Sequence, residues 1–346
     1  MSDFSPAAPQ RPLWLLLFDP LPAITEASPA ADHTAFDQLE ASGIVFEQYL
    51  IQDVRASSSL EDYLGGAEAI QRWANLTQLS SESLIWLQIC PPSDAEIDSG
   101  LITAPALTAL VNNRVLRLSP DQLAQPDSEL TSALHHARLV LITATICDAA
   151  APLRAASELL AQLQALADTL FSPPSMPQWL VTGFRGQSKT IEPPLESGAD
   201  EPLFHVPLWC SSPESAGTRL QWLCGSFDLL PTIAELLRPE FSTLVADSPP
   251  APQAPLSLLT VQRQHPENAA RLLRILHDQW TGLRTSQYFL VQPALGDEPE
   301  HGPSEPPPQK LYLKPEDYWN INNCIVAFAE IAEQMSAMPE PDDGQS

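Results

Sequence analysis

Apolar residues follow two rhythms along this chain. At 13–18 the run Leu-Trp-Leu-Leu-Leu-Phe is unbroken and ends in Asp19-Pro20. An apolar stretch of that length without alternation predicts a strand buried on both faces, as in a parallel sheet. Residues 84–89 read the same way and stop at Pro91-Pro92, and shorter runs at 179–182 and 206–209 predict further strands. Residues 139–146 fit a strand by composition, or the start of a long helix. The second rhythm steps by three and four: Leu153, Leu159, Leu160, Leu163, Leu166 and Leu170 predict a helix over 152–170.

Polar punctuation divides these runs. Thr34-Ala-Phe-Asp37 fits a capping box, Leu39 continues an apolar face, and Gly43 is placed as the stop. Strand character restarts at 44–46 and 49–51, so strand, helix and strand predict a βαβ arrangement. Ser59-Leu-Glu-Asp62 offers a second capping box, interrupted by Gly65-Gly66. Asp228 is placed to cap a helix over 229–238, with Pro231 in its first turn. Beyond 255 the pattern predicts a helix near 266–279, a strand at 286–292, an acidic Pro-rich loop at 296–308 and a final helix over 324–335. The divisions expected are a disordered tail at 1–12, a core at 13–248, a subdomain at 256–336 packed on it, and an acidic disordered tail at 337–346.

Charge narrows the partners. Among 346 residues, 43 acids face 17 Lys plus Arg, a net charge of −26. Such a field repels nucleic acid and anionic membrane, and weighs against sulfate or phosphate esters unless a local basic pocket overrides it. The 36 prolines cluster at 173–177, 249–255 and 303–308, which read as linkers or surface loops. Cys90, Cys147, Cys210, Cys224 and Cys324 are widely spaced without a CxxC pair, so reduced core cysteines are expected. The first residues lack a basic n-region and a long apolar stretch, and no run reaches membrane-spanning length, which predicts a cytoplasmic protein.

Several landmarks, in this order, resemble the sulfatases of the alkaline-phosphatase-like superfamily, particularly bacterial sulfatase-like proteins of this size. The first strand with Asp19 resembles the family strand that ends in two adjacent aspartates. Residues 34–46, Thr-Ala-Phe-Asp-Gln-Leu-Glu-Ala-Ser-Gly-Ile-Val-Phe, are similar to the family segment T-P-x-L-D-x-L-A-x-x-G-V-x-F. Residues 179–186, Trp-Leu-Val-Thr-Gly-Phe-Arg-Gly, stand where the family has a strand followed by Ser/Thr-Asp-His-Gly. His205-Val-Pro-Leu208 and Ser226-Phe-Asp-Leu-Leu-Pro-Thr-Ile233 resemble R/H-V-P-L and x-x-D-L-x-P-T-L. Residues 283–290 and 311–323 resemble the C-terminal strands and the L-Y-x-x-x-x-D-x-x-E-x-N signature. The resemblance covers about residues 12–330 and implies an α/β three-layer sandwich with a mostly parallel central sheet, plus a small C-terminal α+β subdomain.

The chemistry that the family implies is not carried by matching residues. Ester hydrolysis needs a nucleophile and positive charge on the non-bridging oxygens. The family takes its nucleophile from Cys/Ser-x-Pro/Ala-x-Arg, and that position falls on Ala56 or Ser57, within Val-Arg-Ala-Ser-Ser-Ser-Leu at 54–60. No Cys or Pro stands there, and Arg55 precedes the serines. Ser57 or Ser58 is a candidate nucleophile, against a serine loop in which Ser59 caps a turn. The family's calcium site takes two adjacent aspartates after strand one and an Asp-His or Asp-Asn pair in the centre. Here these are Phe18-Asp19 and Phe184-Arg185, so the site is expected to be lost and no cofactor is expected.

Arg185 has two readings: an anion-binding pocket, shared with Arg55, or an ion pair with Asp19 filling the place of the metal. His205 stands where the family often carries a basic residue, and is otherwise a structural histidine. His135-His136 lacks partners at ligand spacing. Trp209 and Trp222 could line a pocket or pack in the core. The expected function is a sulfatase-like, non-catalytic binding or interaction module, with a small anion or a protein as its partner. The rival is a sulfate or phosphate ester hydrolase whose rearranged site brings together Asp19, Arg55, Ser57–Ser59 and Arg185.

Overall fold

The apolar run after Pro12 forms a strand, β1 (Leu13–Asp19), with every residue buried. Its side chains alternate between two cores: Leu13, Leu15 and Leu17 enter one, and Trp14, Leu16 and Phe18 enter the other. A strand can do this only at the centre of a sheet covered on both faces. The computed structural model describes residues 11–21, 33–55, 57–78, 83–90, 104–111, 115–148, 151–186, 201–212, 215–238, 255–259, 271–294, 309–317 and 320–338. Residues 1–10 of the tail expected at 1–12, residues 339–346 of the tail expected at 337–346, residues 249–254 of the proline cluster at 249–255, the cluster at 303–308, the acidic loop at 296–308 and Ala56 lie outside the described residues.

Around β1 stand β2 (Gly43–Leu50), β3 (Leu84–Ile89), β4 (Val115–Leu118), β5 (Leu139–Thr145), β6 (Gln178–Gly183), β7 (Leu208–Ser211) and β8 (Thr218–Gly225). Their order is β4-β3-β5-β1-β6-β7-β2-β8. Only β7 runs antiparallel to its neighbours, β6 and β2. The sheet is therefore mostly parallel, and β1 and β2 are parallel but separated by β6 and β7.

One face is covered by α2 (Leu60–Tyr63), α3 (Ala67–Thr77), α4 (Pro105–Leu110) and α9 (Leu229–Leu237). The other carries α1 (Thr34–Ser42), α5 (Pro120–Ala124), α6 (Ser128–His136) and α7 (Pro152–Leu170). The helix expected at 152–170 forms with those bounds, and the segment read as 139–146 forms a strand over Leu139–Thr145.

A second sheet follows, antiparallel, in the order β12-β11-β10-β9. Its strands are β9 (Leu273–Leu276), β10 (Trp280–Arg284), β11 (Tyr288–Pro293) and β12 (Lys310–Leu313). One face receives α10 (Ala329–Ser336) through Leu290, Leu311, Ala332 and Met335. The other joins the main core, where Phe289 and Trp280 meet Phe204 of α8 (Glu201–Phe204) at ring distances of 5.3 and 6.0 Å.

The structure corrects several expectations. Residues 273–276 are a strand, not part of a helix: Leu273 and Ile275 are buried, Arg274 and Leu276 half-buried, which is the period-two pattern of a half-covered sheet. The helix at 34–42 begins at Thr34 itself; His33 is the cap residue, with Nδ1 2.9 Å from Asp37 Oδ1, and the Thr34 box does not form. Gly43 ends that helix in extended backbone, and its glycine identity answers a close approach, because a Cβ there would lie 2.3 Å from the Cys210 carbonyl oxygen. Asp228 has helical backbone, and its carboxylate turns back to accept from Gly225 N at 2.7 Å instead of capping α9. Strand β8 was not foreseen; as an edge strand it is half-exposed at its start and buried only over its last three residues.

The cysteines also divide differently from expectation. All five are free, but only Cys210 and Cys224 are buried; Cys90 and Cys324 are half-buried and Cys147 is exposed. Among the described residues, no helix is long and apolar enough to cross a membrane.

Candidate functional site

Because β1 and β6 are adjacent and parallel, with Phe18 opposite Gly183, the residues after them emerge side by side at the C-terminal edge. Ligands of open α/β sheets bind on that side. Phe184 N donates to Phe18 O at 2.7 Å and Leu21 N to Arg185 O at 2.9 Å, so the two loops are tied by backbone. Arg185 Nε lies 4.0 Å from Asp19 Oδ1, too far for a direct hydrogen bond. The Arg185 guanidinium sits 5.2 Å from the centre of the Phe184 ring, with 37% of its side chain exposed. Burial raises the Asp19 carboxyl above its ordinary value, and the charge of Arg185 only partly opposes that.

Behind this pair the edge is filled with aromatic side chains. Phe184 is buried and its ring lies 5.2 Å from that of Tyr63. The Tyr63 hydroxyl donates to Gly183 O at 3.0 Å and lies 2.8 Å from the Tyr49 hydroxyl. Burial pushes both phenols above their ordinary range, so both stay protonated. Thus β2, α2 and the residue after β6 each supply one ring to a closed, neutral cluster.

The serine loop is organised around a different carboxylate. Asp53 accepts from Arg55 Nε at 2.9 Å, from Arg55 Nη2 at 2.5 Å and from the Ser58 hydroxyl. Burial alone would raise its pKa, but the Arg55 and Ser58 hydrogen bonds outweigh it and the carboxyl lies below its ordinary value. Ser57 is exposed, and Ser59 caps α2 in the expected reciprocal box with Asp62. The segment before the loop extends the second sheet: Leu276 N donates to Gln52 O at 2.8 Å and Val54 N to Leu276 O at 2.9 Å. The candidates thus fall into two sets, Asp19 with Arg185, and Arg55 and Ser58 with Asp53.

His205 belongs to a third group that the sequence did not disclose. Its Nε2 meets the Glu47 carbonyl, and its Nδ1 lies 3.5 Å from Glu201 Oε1. Glu201, only 1% exposed, also has Lys314 Nζ at 2.7 Å and Arg284 Nη2 at 4.0 Å. Burial opposes its ionisation, yet His205, Lys314 and Arg284 hold the carboxyl down to about 2. Burial lowers Lys314 and Arg284 in turn, with Glu201 opposing. This cluster joins the main fold to the second sheet. A basic residue at the end of β10, Arg284, and one directly after β12, Lys314, were the available signal for it.

Similarly, Arg271 Nη2 reaches Asp228 Oδ1 at 2.5 Å in a buried pair. His135 and His136 are exposed in the last turn of α6. Trp209 stacks on Phe36 at 4.7 Å in the core, and Trp222 packs half-buried against the other core. Among the described residues, no group of three or more His, Cys, Asp or Glu side chains is gathered closely enough to hold a metal ion.

No protein-family model matches the sequence, and no curated protein matches it. Solved structures do. A candidate sulfatase, yidJ from Bacteroides fragilis, matches with a TM-score of 0.61 at 11% identity, over 95% of this chain and 94% of that one. The PsFucS1 sulfatase from Pseudoalteromonas sp. matches with a TM-score of 0.56 at 12% identity, over 94% of this chain and 88% of that one. Ps i-CgsB, in complex with k-i-k-neocarrahexaose, matches with a TM-score of 0.57 at 12% identity, over 94% and 91%.

Proposed function

We propose that this chain, which has the sulfatase fold of the alkaline-phosphatase-like superfamily, has lost ester hydrolysis and works as a non-catalytic binding module. The observation that carries this reading is the replacement at the sheet edge. The resemblance calls for two adjacent aspartates at the end of β1 and an Asp-His or Asp-Asn pair after β6, and the residues there are Phe18, Asp19, Phe184 and Arg185. Calcium requires about six to eight oxygen ligands, several of them charged. A single carboxylate with a guanidinium beside it does not supply that donor set. Phe184, packed on Tyr63, offers no ligand atom at that position.

The same geometry favours a small anion as the bound species. Arg185 offers a half-exposed planar fork at the end of a central strand, and such a fork takes carboxylate or sulfate through paired hydrogen bonds. The local charge is then Arg185 and Asp19 together, so binding is weak and strengthened by protonation of Asp19. A cytoplasmic setting accompanies this reading, since five free thiols suit a reducing compartment.

Metal titration of the melting temperature tests it. A ligand that binds only the native state raises stability with concentration. Neither calcium nor zinc is expected to shift the melting temperature, and chelators are expected to leave it unchanged. A rise that saturates with calcium and disappears in Asp19→Asn would establish a working metal site and remove the proposal.

A further inference from the structure

Two of the five cysteines are brought together at the C-terminal edge of the main sheet. β3 and β5 are adjacent and parallel, with Ile89 opposite Ala144, which puts Cys90 level with Thr145 and Cys147 two residues further on. The ladder reaches both ends, since Cys90 N donates to Leu118 O at 3.1 Å and Ile146 N to Asp19 O at 2.8 Å. Ile89 and Ile146 are buried in the same core, on one face of the sheet. Successive strand residues point to opposite faces. Cys90 and Cys147, each next in sequence, therefore both turn to the other face.

Trp86 and Thr143 show that side chains meet along this diagonal. Trp86 is paired with Leu141, and its Nε1 donates at 3.0 Å to Oγ1 of Thr143, two residues beyond. Cys90 and Cys147 repeat that relation further along the same two strands. Burial raises the Cys90 thiol above its ordinary value, with Arg117 opposing and Cys147 adding to the rise. The effect of Cys147 on Cys90 requires the two thiols to be neighbours.

Strands about 4.8 Å apart that rise about 3.3 Å per residue place the two Cα atoms about 8 Å from each other. A disulfide spans about 4.4–6.8 Å between Cα atoms, so the approach needed is about 1–2 Å. Cys147 lies beyond the end of β5 at Thr145, and a small shift of that segment closes the gap. Both residues are thiols in this structure, Cys147 exposed and Cys90 half-buried.

We propose that Cys90 and Cys147 form a reversible disulfide, closed by a low-molecular-weight disulfide such as glutathione disulfide. The exposed Cys147 thiolate attacks one sulfur of the oxidant, forming a mixed disulfide and releasing one glutathione thiolate. The Cys90 sulfur, losing its proton to solvent, then attacks Cys147 Sγ and displaces the second glutathione thiolate. The two released thiolates take up the two protons, so the protein loses two electrons and one glutathione disulfide becomes two glutathiones. Cys210 and Cys224 stay reduced, because both are buried and burial pushes their thiols up. In a reducing compartment such a bond is transient and senses the redox state. The inference does not depend on the loss of ester hydrolysis.

Non-reducing peptide mapping of the full chain after exposure to glutathione disulfide tests it. The expected product is a link between Cys90 and Cys147 within one chain, with the cooperative melting transition retained and both thiols restored by dithiothreitol. Cys90→Ser lacks the second thiol, so Cys147 is expected to accumulate as its mixed disulfide with glutathione, which the wild type does not retain. Cys147→Ser is expected to lose the link and to leave Cys90 a thiol. Unchanged thiols, a stable glutathione adduct on Cys147 of the wild type, a link to another cysteine or between chains, or a bond that forms only in denaturant overturns the proposal. If Cys90→Ser fails to fold, Cys147→Ser, at an exposed position, decides alone.

Discussion

A carboxylate buried to 1% exposure ionises only when nearby cations repay its lost hydration. Glu201 meets that condition with Lys314 and Arg284, both from the second sheet, and with His205. Removing its charge leaves two buried cations uncompensated. Glu201→Gln is therefore expected to cost about 3–5 kcal/mol of stability at neutral pH, read by denaturant unfolding. Adding Lys314→Met to it is expected to recover part of that loss.

The pH dependence follows from the direction of the shift. The folded-state pKa of about 2 lies below the ordinary 4.5, so the stabilisation is complete above the ordinary value and is lost as pH falls from there through 2. Glu201→Gln removes that acid limb. Asp19 has the opposite sign: its pKa is raised, so its ionised form is disfavoured by folding and costs stability at neutral pH. Asp19→Asn is expected to leave the melting temperature unchanged or slightly raised near pH 7.

These two carboxylates differ in how legible they were. Asp19 and Arg185 end apolar runs that can only be central strands, so their meeting at one sheet edge could be anticipated. Glu201 lies in a short helix in a polar stretch; His205 follows it by four residues, but Arg284 and Lys314 come more than eighty residues later in the chain. Nothing local announces those two contacts.

At the scale of elements, continuous apolar runs and the long leucine-stepped helix were readable because burial on two faces, or on one helical stripe, fixes the pattern. Short segments with one covered face were not. Residues 272–276, Leu-Leu-Arg-Ile-Leu, satisfy both a helical stripe and a strand alternation, and the pairing of β9 with β10 decides between them. The serine loop shows the same dependence on distant partners, since residues 52–54 are held by an isolated bridge to Leu276. The turn at Gly43 gives an element-scale test. Gly43→Ala would drive a Cβ into the Cys210 carbonyl, so the α1–β2 junction must shift away from β7. A loss of about 1–3 kcal/mol is expected from such overpacking, with early amide exchange confined to β2 and β7.

The whole molecule shares the fold of solved sulfatases, and the edge of β1 and β6 carries Phe18, Asp19, Phe184 and Arg185. The fold depends on alternate burial along eight strands and on two helical layers, and none of those requirements involves a catalytic side chain. The site depends on a few positions at strand ends, which the fold tolerates in apolar form. Phe18 and Phe184 show this, since both are buried in the cores that they enlarge. Scaffold and chemistry can therefore separate, and the sequence resemblance reports the first without guaranteeing the second. A net charge of −26 also sets the long-range field against anionic esters.

Turnover is the most direct test of that separation. The purified full chain is incubated with aryl sulfate, aryl phosphate and aryl phosphonate esters, with and without calcium or zinc, beside the Asp19→Ala variant. The expected result is no hydrolysis above background for any ester, identical in the wild type and the variant. Metal-stimulated turnover that disappears with Asp19→Ala would show that the edge of β1 and β6 hydrolyses esters and would contradict the proposed loss of that chemistry.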